Sequence, residues 1–201
     1  MVIFICILIM LVCFTIVVLM NKSESNNEEI RREKVEEIIK ENQINISKRF
    51  DCKSSYTLIN DSESKCFWCI INSDVVKKFN YKDIIQVELK QDDESVISTS
   101  RASQLGGALV GGVLAGGIGA VIGGLSGKQK QQKDVKNVEL VLTLDDLDDP
   151  FFKIEFAYFH KPVETNSYLY LVAYEEAYAW FKLTEVILRR NDAIKDKNYN
   201  L

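Results

Sequence analysis

All ten glycines of this 201-residue chain lie in one run, GGALVGGVLAGGIGAVIGGLSG, from Gly106 to Gly127. A flexible linker would mix glycine with serine and other polar residues. The other residues here are mainly Leu, Val, Ile and Ala, and no charge lies between Arg101 and Lys128. The sequence therefore predicts a segment that needs an apolar environment.

Small residues recur at every fourth position of this run, in two neighbouring registers. The other two registers carry mainly Leu, Val and Ile, so a helix would have one smooth flank and one apolar flank. Ridges of small residues let two backbones approach closely, as in membrane helix packing, while each glycine costs about 1 kcal/mol relative to alanine in a helix in water. The pattern predicts a glycine zipper for membrane contact or self-association, formed by Gly107, Gly111, Ala115, Gly119, Gly123 and Gly127 and by Gly112 and Gly116 of the next register.

Three arrangements of the zipper are open if its two flanking strands share one sheet. They are a re-entrant hairpin that turns near residues 116–119, an insertion driven by self-association, and an apolar excursion packed on the chain's own anchor. Two arms of about 11 residues would reach only about 16 Å, half of the hydrocarbon thickness. A plain glycine-rich loop is the structural alternative. The basic residues around the run are predicted to contact anionic headgroups: Arg101, Lys128, Lys130, Lys133 and Lys136.

The amino terminus has the composition of a membrane anchor. Residues 1–20 carry no charge, and at about 1.5 Å per residue a helix of this length crosses the ~30 Å hydrocarbon core. Basic residues follow this segment and none precedes it, which predicts a single-pass protein of the inner (plasma) membrane with its amino terminus outside and its carboxyl-terminal domain in the cytoplasm. Residues 21–50 are predicted to form a charged helical stalk, with Val35, Ile39, Asn42 and Ile46 in one narrow stripe; a dimerising coiled coil is the alternative.

From about Tyr56 the hydrophobic period changes from helical to two, which predicts about seven strands with one buried face. A helix over residues 167–190 follows, with Leu169, Val172, Ala177 and Trp180 among the residues of its packed side. Tyr170, Tyr174 and Tyr178 are expected on its outer flank, and residues 193–201 are expected to form a tail. The fold class is α+β.

This order of strands and a closing helix resembles the pleckstrin-homology (PH) superfamily, in which a bent sheet or barrel is capped by the last helix. The segment FNYKDIIQVELK, residues 79–90, is similar to the one that bacterial PH domains carry before a central strand. The chain also resembles small membrane-anchored bacterial and phage proteins in which a glycine-rich stretch interrupts such a domain. The resemblance implies a PH-like domain over residues 51–192, an insertion over 101–136, and a role in binding or scaffolding without catalytic residues.

No set of residues suited to catalysis stands out. Cys66 and Cys69 match C-x-x-C, but in a strand they would point to opposite faces, whereas redox pairs normally open a helix. The acidic residues between Asp145 and Asp149 lack the glycine and distal glutamate of a calcium loop. With a single histidine, His160, and no phosphate loop, we expect no enzyme, no cofactor and no metal site. The net charge of -4 argues against nucleic acid as a partner.

The sequence thus predicts a non-enzymatic, membrane-anchored binding or scaffold protein. Its PH-like domain would contact lipid or a protein partner, and its zipper would mediate membrane association or homo-oligomerisation. The alternative is a membrane-perturbing effector, or a protein of phage superinfection immunity or defence, that acts through zipper oligomerisation.

Overall fold

The computed structural model describes residues 2–52, 56–101 and 134–199. The chain divides into two compact units, residues 1–78 and residues 79–201. The first contains helix α1 and most of one sheet, and the second contains another sheet and helix α2. The described residues thus form an α+β structure with two antiparallel sheets and a carboxyl-terminal helix.

The first sheet has four strands in the order β1-β2-β3-β4. Strands β2, β3 and β4 lie where the alternation of apolar residues predicts them, whereas β1 falls inside the predicted stalk. The bounds are β1 Lys48–Asp51, β2 Tyr56–Asp61, β3 Cys66–Ile71 and β4 Val75–Asn80.

Helix α1 runs without interruption over Val2–Glu41. Its last turns pack on the first sheet, where Val35 and Ile39 form a buried cluster with Ile44, Ile59 and Ile70. This differs from the predicted stalk over residues 21–50, because the helix ends at Glu41 and its carboxyl-terminal part belongs to the folded unit.

The predicted stripe on α1 is correct for Val35 and Ile39 and wrong at its end. Asn42 and Ile46 are exposed, and Ile44 is buried instead. The reason is that the helix stops before these residues, so helical spacing no longer decides which side chain faces the sheet.

Within the part of the chain that the structure describes, no helix has an apolar stretch long enough to cross a membrane. The anchor over residues 1–20 stays a prediction.

The second unit contains a 3-10 turn, Tyr81–Asp83, and its sheet has the strand order β6-β5-β7-β8. Asp92 and Asp93 turn the chain between β5 and β6, both in the left-handed region with φ of 49° and 66°. Strands β5 to β8 contain the strands predicted from alternation. The bounds are β5 Ile84–Gln91, β6 Glu94–Ser100, β7 Asp134–Leu144, β8 Phe151–Glu164 and α2 Tyr168–Tyr199.

Helix α2 packs on β5, β7 and β8 through one continuous face. This face differs from the predicted one in the first turns, because Leu169 and Val172 are exposed whereas Tyr170 and Tyr174 are buried. The two tyrosine rings stack at a centroid distance of 5.5 Å, and Gln91 Nε2 donates a hydrogen bond to the Tyr170 hydroxyl. The buried face consists of Tyr170, Tyr174, Ala177, Trp180, Phe181, Thr184, Ile187 and Leu188. The helix also continues to Tyr199, through most of the predicted tail.

Candidate functional site

The glycine-rich run is the first candidate, and the structure describes the two strands that flank it. Strands β6 and β7 pair antiparallel with β5 on opposite sides, so β6 and β7 run in the same direction. The chain leaves β6 beside Ile85, whose carbonyl accepts from Arg101 N at 3.0 Å. It enters β7 beside Asp92, whose Oδ1 accepts from the backbone N of Lys136 and Asn137 at 2.9 and 2.8 Å.

Residues 102–133 therefore connect opposite ends of one sheet. The two ends are separated along β5 by about 20 Å, since Ile85 and Gln91 are six residues apart and a strand rises about 3.4 Å per residue. This separation constrains the hairpin considered above. The two ends of a hairpin lie side by side, so further residues of the connection would have to span the length of the sheet. The predicted zipper residues, and with them Lys128, Lys130 and Lys133, lie outside the described residues.

Arg101, on the first flank of the glycine-rich run, forms hydrogen bonds within the folded chain. Its Nη2 donates to the carbonyl oxygens of Tyr81, at 3.2 Å, and of Lys82. The guanidinium thus holds the end of β6 against the 3-10 turn. Its predicted contact with lipid headgroups stays a prediction.

Lys136, on the second flank, is exposed and belongs to a small surface cluster. Its Nζ lies 5.3 Å from the centroid of the Tyr158 ring, and the His160 ring meets the same tyrosine edge-on at 5.8 Å. Tyr158 is half exposed and His160 is exposed. An ammonium group on a tyrosine ring is a cation–π pair, and both side chains combine an apolar body with a polar tip. We call these three residues the Lys136 cluster.

Of this cluster, only the lysine was predicted from the sequence as a functional residue. The signal for the other two was their spacing, because Tyr158 and His160 are two residues apart and so share one face of β8. Their proximity to Lys136 depends on the pairing of β7 with β8, in which Asn137 lies opposite Tyr158 next to a register shift.

The second candidate is a polar cleft of about 600 Å³ between α1 and β1. Arg49 donates to Glu36 at 2.5 Å and to Asp51 at 2.8 Å. Burial alone would lower the pKa of the Arg49 guanidinium, but the hydrogen bonds to the two carboxylates outweigh burial and raise that pKa. The residues that line the cleft are Glu28, Arg31, Arg32, Glu36, Arg49 and Asp51.

The charges in this cleft balance, since three arginines face three carboxylates. Arg31 Nη2 donates to the Cys52 carbonyl at 3.2 Å, while its Nε and Nη1 are buried and have no hydrogen-bond partner among the described residues. Ser73 Oγ donates to the Arg31 carbonyl at 3.4 Å. The cleft joins α1 to the sheet and contains arginine donors that are not used within the described chain.

The cysteine pair is not arranged for redox chemistry. Cys66 and Cys69 are buried free thiols in β3. Burial raises the pKa of both, that of Cys69 to about 12, so the thiol form dominates at neutral pH. Because the thiolate is the reactive form, burial lowers the reactivity of both groups.

The acidic segment forms a turn. Asp146 Oδ1 accepts hydrogen bonds from the backbone N of Asp148 at 2.9 Å and of Asp149 at 3.3 Å. Such Asx-type bonds are typical of turns. In the described ranges, no group of three or more His, Cys, Asp or Glu residues is placed to hold a metal ion.

Comparison with known proteins gives a family match. The model of the family described as glycine zipper containing PH domain matches residues 43–158. This range includes the strands from β1 to β7, the glycine-rich run and the first half of β8.

Two curated relatives are each 31% identical to this chain over 121 residues. One is the protein called "Immunity protein" of Bacillus phage SPbeta, and the match covers 57% of this chain and 58% of that protein. The other is YomJ of Bacillus subtilis strain 168, described as an SPbeta prophage-derived uncharacterized membrane protein, with 57% and 52% covered. The chain thus spans slightly more than half the length of these relatives. No solved structure matches the chain.

Proposed function

Because the chain belongs to the family of PH domains that contain a glycine zipper, we propose that it is a membrane-associated, non-enzymatic binding protein whose zipper mediates membrane contact or self-association. The observation that carries this proposal is an apolar, glycine-rich run inserted between two strands of one folded sheet. A helix formed by such a run would be unstable in water, because each glycine costs about 1 kcal/mol of helix stability relative to alanine.

In this proposal residues 1–20 anchor the chain in the plasma membrane, with the amino terminus outside and the two folded units in the cytoplasm. The uncharged sequence of residues 1–20 supports the anchor, and the relative described as a membrane protein supports membrane association. The Lys136 cluster and the lysines at 128, 130 and 133 would contact anionic headgroups.

The test is deletion of residues 106–127 in the full chain, followed by chemical cross-linking in native membranes. We expect the variant to stay folded and anchored but to lose its higher oligomers. Replacing Gly111 and Gly123 by leucine should have the same effect, because side chains would separate the backbones. Val113→Leu, in an apolar register of the same run, is the matched control and should keep the oligomers. Unchanged oligomers in the deletion variant would refute the zipper's role in self-association.

A second candidate function is immunity or defence against phage. The observation that favours it is the similarity to the relative called an immunity protein. Expression of the chain in Bacillus subtilis should then lower the plating efficiency of an SPbeta-type phage, and the two glycine-to-leucine substitutions should restore plating. Equal plating with and without the chain would contradict this function.

Two forms of such a role, with and without damage to the host membrane, can be distinguished by whether the cells stay intact. A membrane-perturbing effector should cause growth arrest and dye leakage when it is overexpressed, and Gly111→Leu should relieve both. Protection from phage in cells that grow normally would instead favour immunity without a membrane lesion.

A further inference from the structure

Helix α2 has a second apolar face on the side opposite the sheet. Its exposed fractions are 80% for Tyr168, 62% for Leu169, 49% for Val172 and 41% for Val186. Ala179, also exposed, lies midway between the two valines. At 3.6 residues per turn, Tyr168, Val172, Ala179 and Val186 fall within a band about 40° wide. Within the described residues this band, which we call the outer face, is not covered.

The outer face is symmetric about Ala179. Val172 lies seven residues before Ala179, and Val186 lies seven residues after it. Tyr168 lies eleven residues before Ala179, and Arg190 lies eleven residues after it. If two copies of the helix cross antiparallel at Ala179, Val172 of one copy meets Val186 of the other, and the Tyr168 ring meets the Arg190 guanidinium. A small residue at the crossing point lets the two backbones approach closely.

The two halves of α2 differ in charge. Glu175 is exposed on the amino-terminal half, whereas Lys182, Arg189 and Arg190 are exposed on the carboxyl-terminal half. Lys182 and Arg189 pair with Glu185 of the same helix, at 2.7 and 3.5 Å, and three cations against this one carboxylate leave that half basic. Antiparallel pairing places the acidic half of one copy along the basic half of the other. Parallel pairing would place like charges together, which is unfavourable.

We propose that the outer face of α2 binds a second copy of this chain, antiparallel and with the two-fold axis at Ala179. The surface is distinct from the glycine-rich run, so this pairing goes beyond the proposed function. Two helices bury less than the ~1,600 Å² of a standard interface, so the pairing is weak between free molecules. Confinement of both copies to one membrane, or in one oligomer, would raise their effective concentration and favour it.

The experiment is site-specific disulfide formation in membranes that contain the full chain. In the antiparallel pair, the two copies of Val172 are about 21 Å apart along the axis, because each lies seven residues from the crossing at about 1.5 Å per residue. V172C alone and V186C alone should therefore give only the wild-type background from the native cysteines. A mixture of the two tagged variants should give at least about fivefold more cross-linked heterodimer, since a disulfide needs Cβ atoms about 4 Å apart. A179C should cross-link with itself.

Control variants distinguish pairing through the outer face from association through the zipper and from chance collisions. D146C, in an exposed turn outside the helix, should stay at background. A179C should still cross-link when residues 106–127 are deleted, whether or not the zipper forms oligomers. Circular dichroism should show that each cysteine variant folds like the wild type. Cross-linking of V172C with itself at the level of the mixture would overturn the antiparallel pairing, as would A179C at background. Loss of the A179C cross-link in the deletion variant would overturn its independence from the zipper.

Discussion

The two helices expose apolar side chains in different patterns. Each described side chain of α1 from Ile9 to Met20 is exposed, on all sides of the helix. On α2 the exposed apolar residues other than Leu169 form one band, and the opposite side is buried on a sheet. A helix that is apolar all round suits lipid or a protein core, whereas a single band suits a partner surface. The amount of exposed apolar surface therefore does not by itself identify the environment of a helix, because the distribution of that surface around the helix axis also matters.

Charged residues in the apolar part of α1 should have the largest effect. We predict that the double substitution Leu11→Arg and Val12→Arg removes the chain from the carbonate-resistant membrane fraction, since each arginine costs about 2.5–3.5 kcal/mol at the centre of a membrane helix. Ile30→Arg, at an exposed position of the same helix among charged residues, is the control and should stay in that fraction. Retention of the double variant in that fraction would contradict the assignment of the apolar part of α1 to lipid.

The two faces of α2 should differ strongly in their contribution to folding. Trp180 is fully buried, so Trp180→Ala should lower the free energy of unfolding by about 3–5 kcal/mol. Val172→Ala, on the outer face, should change it by no more than about 0.5 kcal/mol. Urea unfolding followed by circular dichroism measures both. Similar losses in the two variants would show that the outer face is covered within the monomer.

The stability of the first unit should depend on pH through Asp61. This buried carboxylate accepts hydrogen bonds from the backbone N of Ser64 at 2.9 Å and of Asn45 at 3.4 Å. Burial alone would raise the pKa of Asp61, but these hydrogen bonds outweigh burial and lower the pKa below its ordinary value of 3.8. The stabilisation is therefore complete above the ordinary pKa and is lost as the pH falls through the lower folded-state pKa.

Asp61→Ala should thus cost about 1.5–3 kcal/mol at neutral pH, the value of hydrogen bonds to a charged group. The difference from the wild type should be constant above about pH 5 and shrink in stronger acid. Denaturant unfolding at a series of pH values measures this difference. A difference that grows in acid would contradict the direction assigned to the Asp61 pKa.

The smallest effect is expected at the Lys136 cluster. In the double-arginine background, Lys136→Ala should weaken binding to vesicles with anionic lipid about fivefold, since one basic residue near the surface contributes about 1 kcal/mol. Lys65→Ala removes another exposed charge, from the other unit, and is the control. Equal effects of both substitutions would indicate that only net charge matters.

Local patterns in the sequence were sufficient to predict most of the strands. Val87 and Leu89 in β5 alternate with polar residues and are buried, and Leu140 and Leu142 in β7 are buried as well. Strand β1 was missed because its sequence, KRFD, contains one apolar residue and no alternation. It is a strand because of its pairing with β2, where Phe50 lies opposite Leu58.

Other features depend on information that a local pattern does not contain. The first turns of α2 carry Leu169 and Val172 on one side and Tyr170 and Tyr174 on the other, so periodicity could not decide which side packs. Likewise, alternation could not reveal that β6 and β7 lie on opposite sides of β5. That strand order determines where the ends of the glycine-rich run lie, and it therefore limits how the run can approach a membrane.

The most direct test of the account is the accessibility of the glycine-rich run in native membranes. Single cysteines at Leu109, Val113 and Val121 would be treated with a membrane-impermeant maleimide, with Asp146→Cys as the exposed control. If lipid or another copy covers the run, the three run positions should react only after detergent is added, whereas the control should react in both conditions. Equal and rapid labelling of the run and the control in intact, opened membranes would contradict it, because the run would then lie in water.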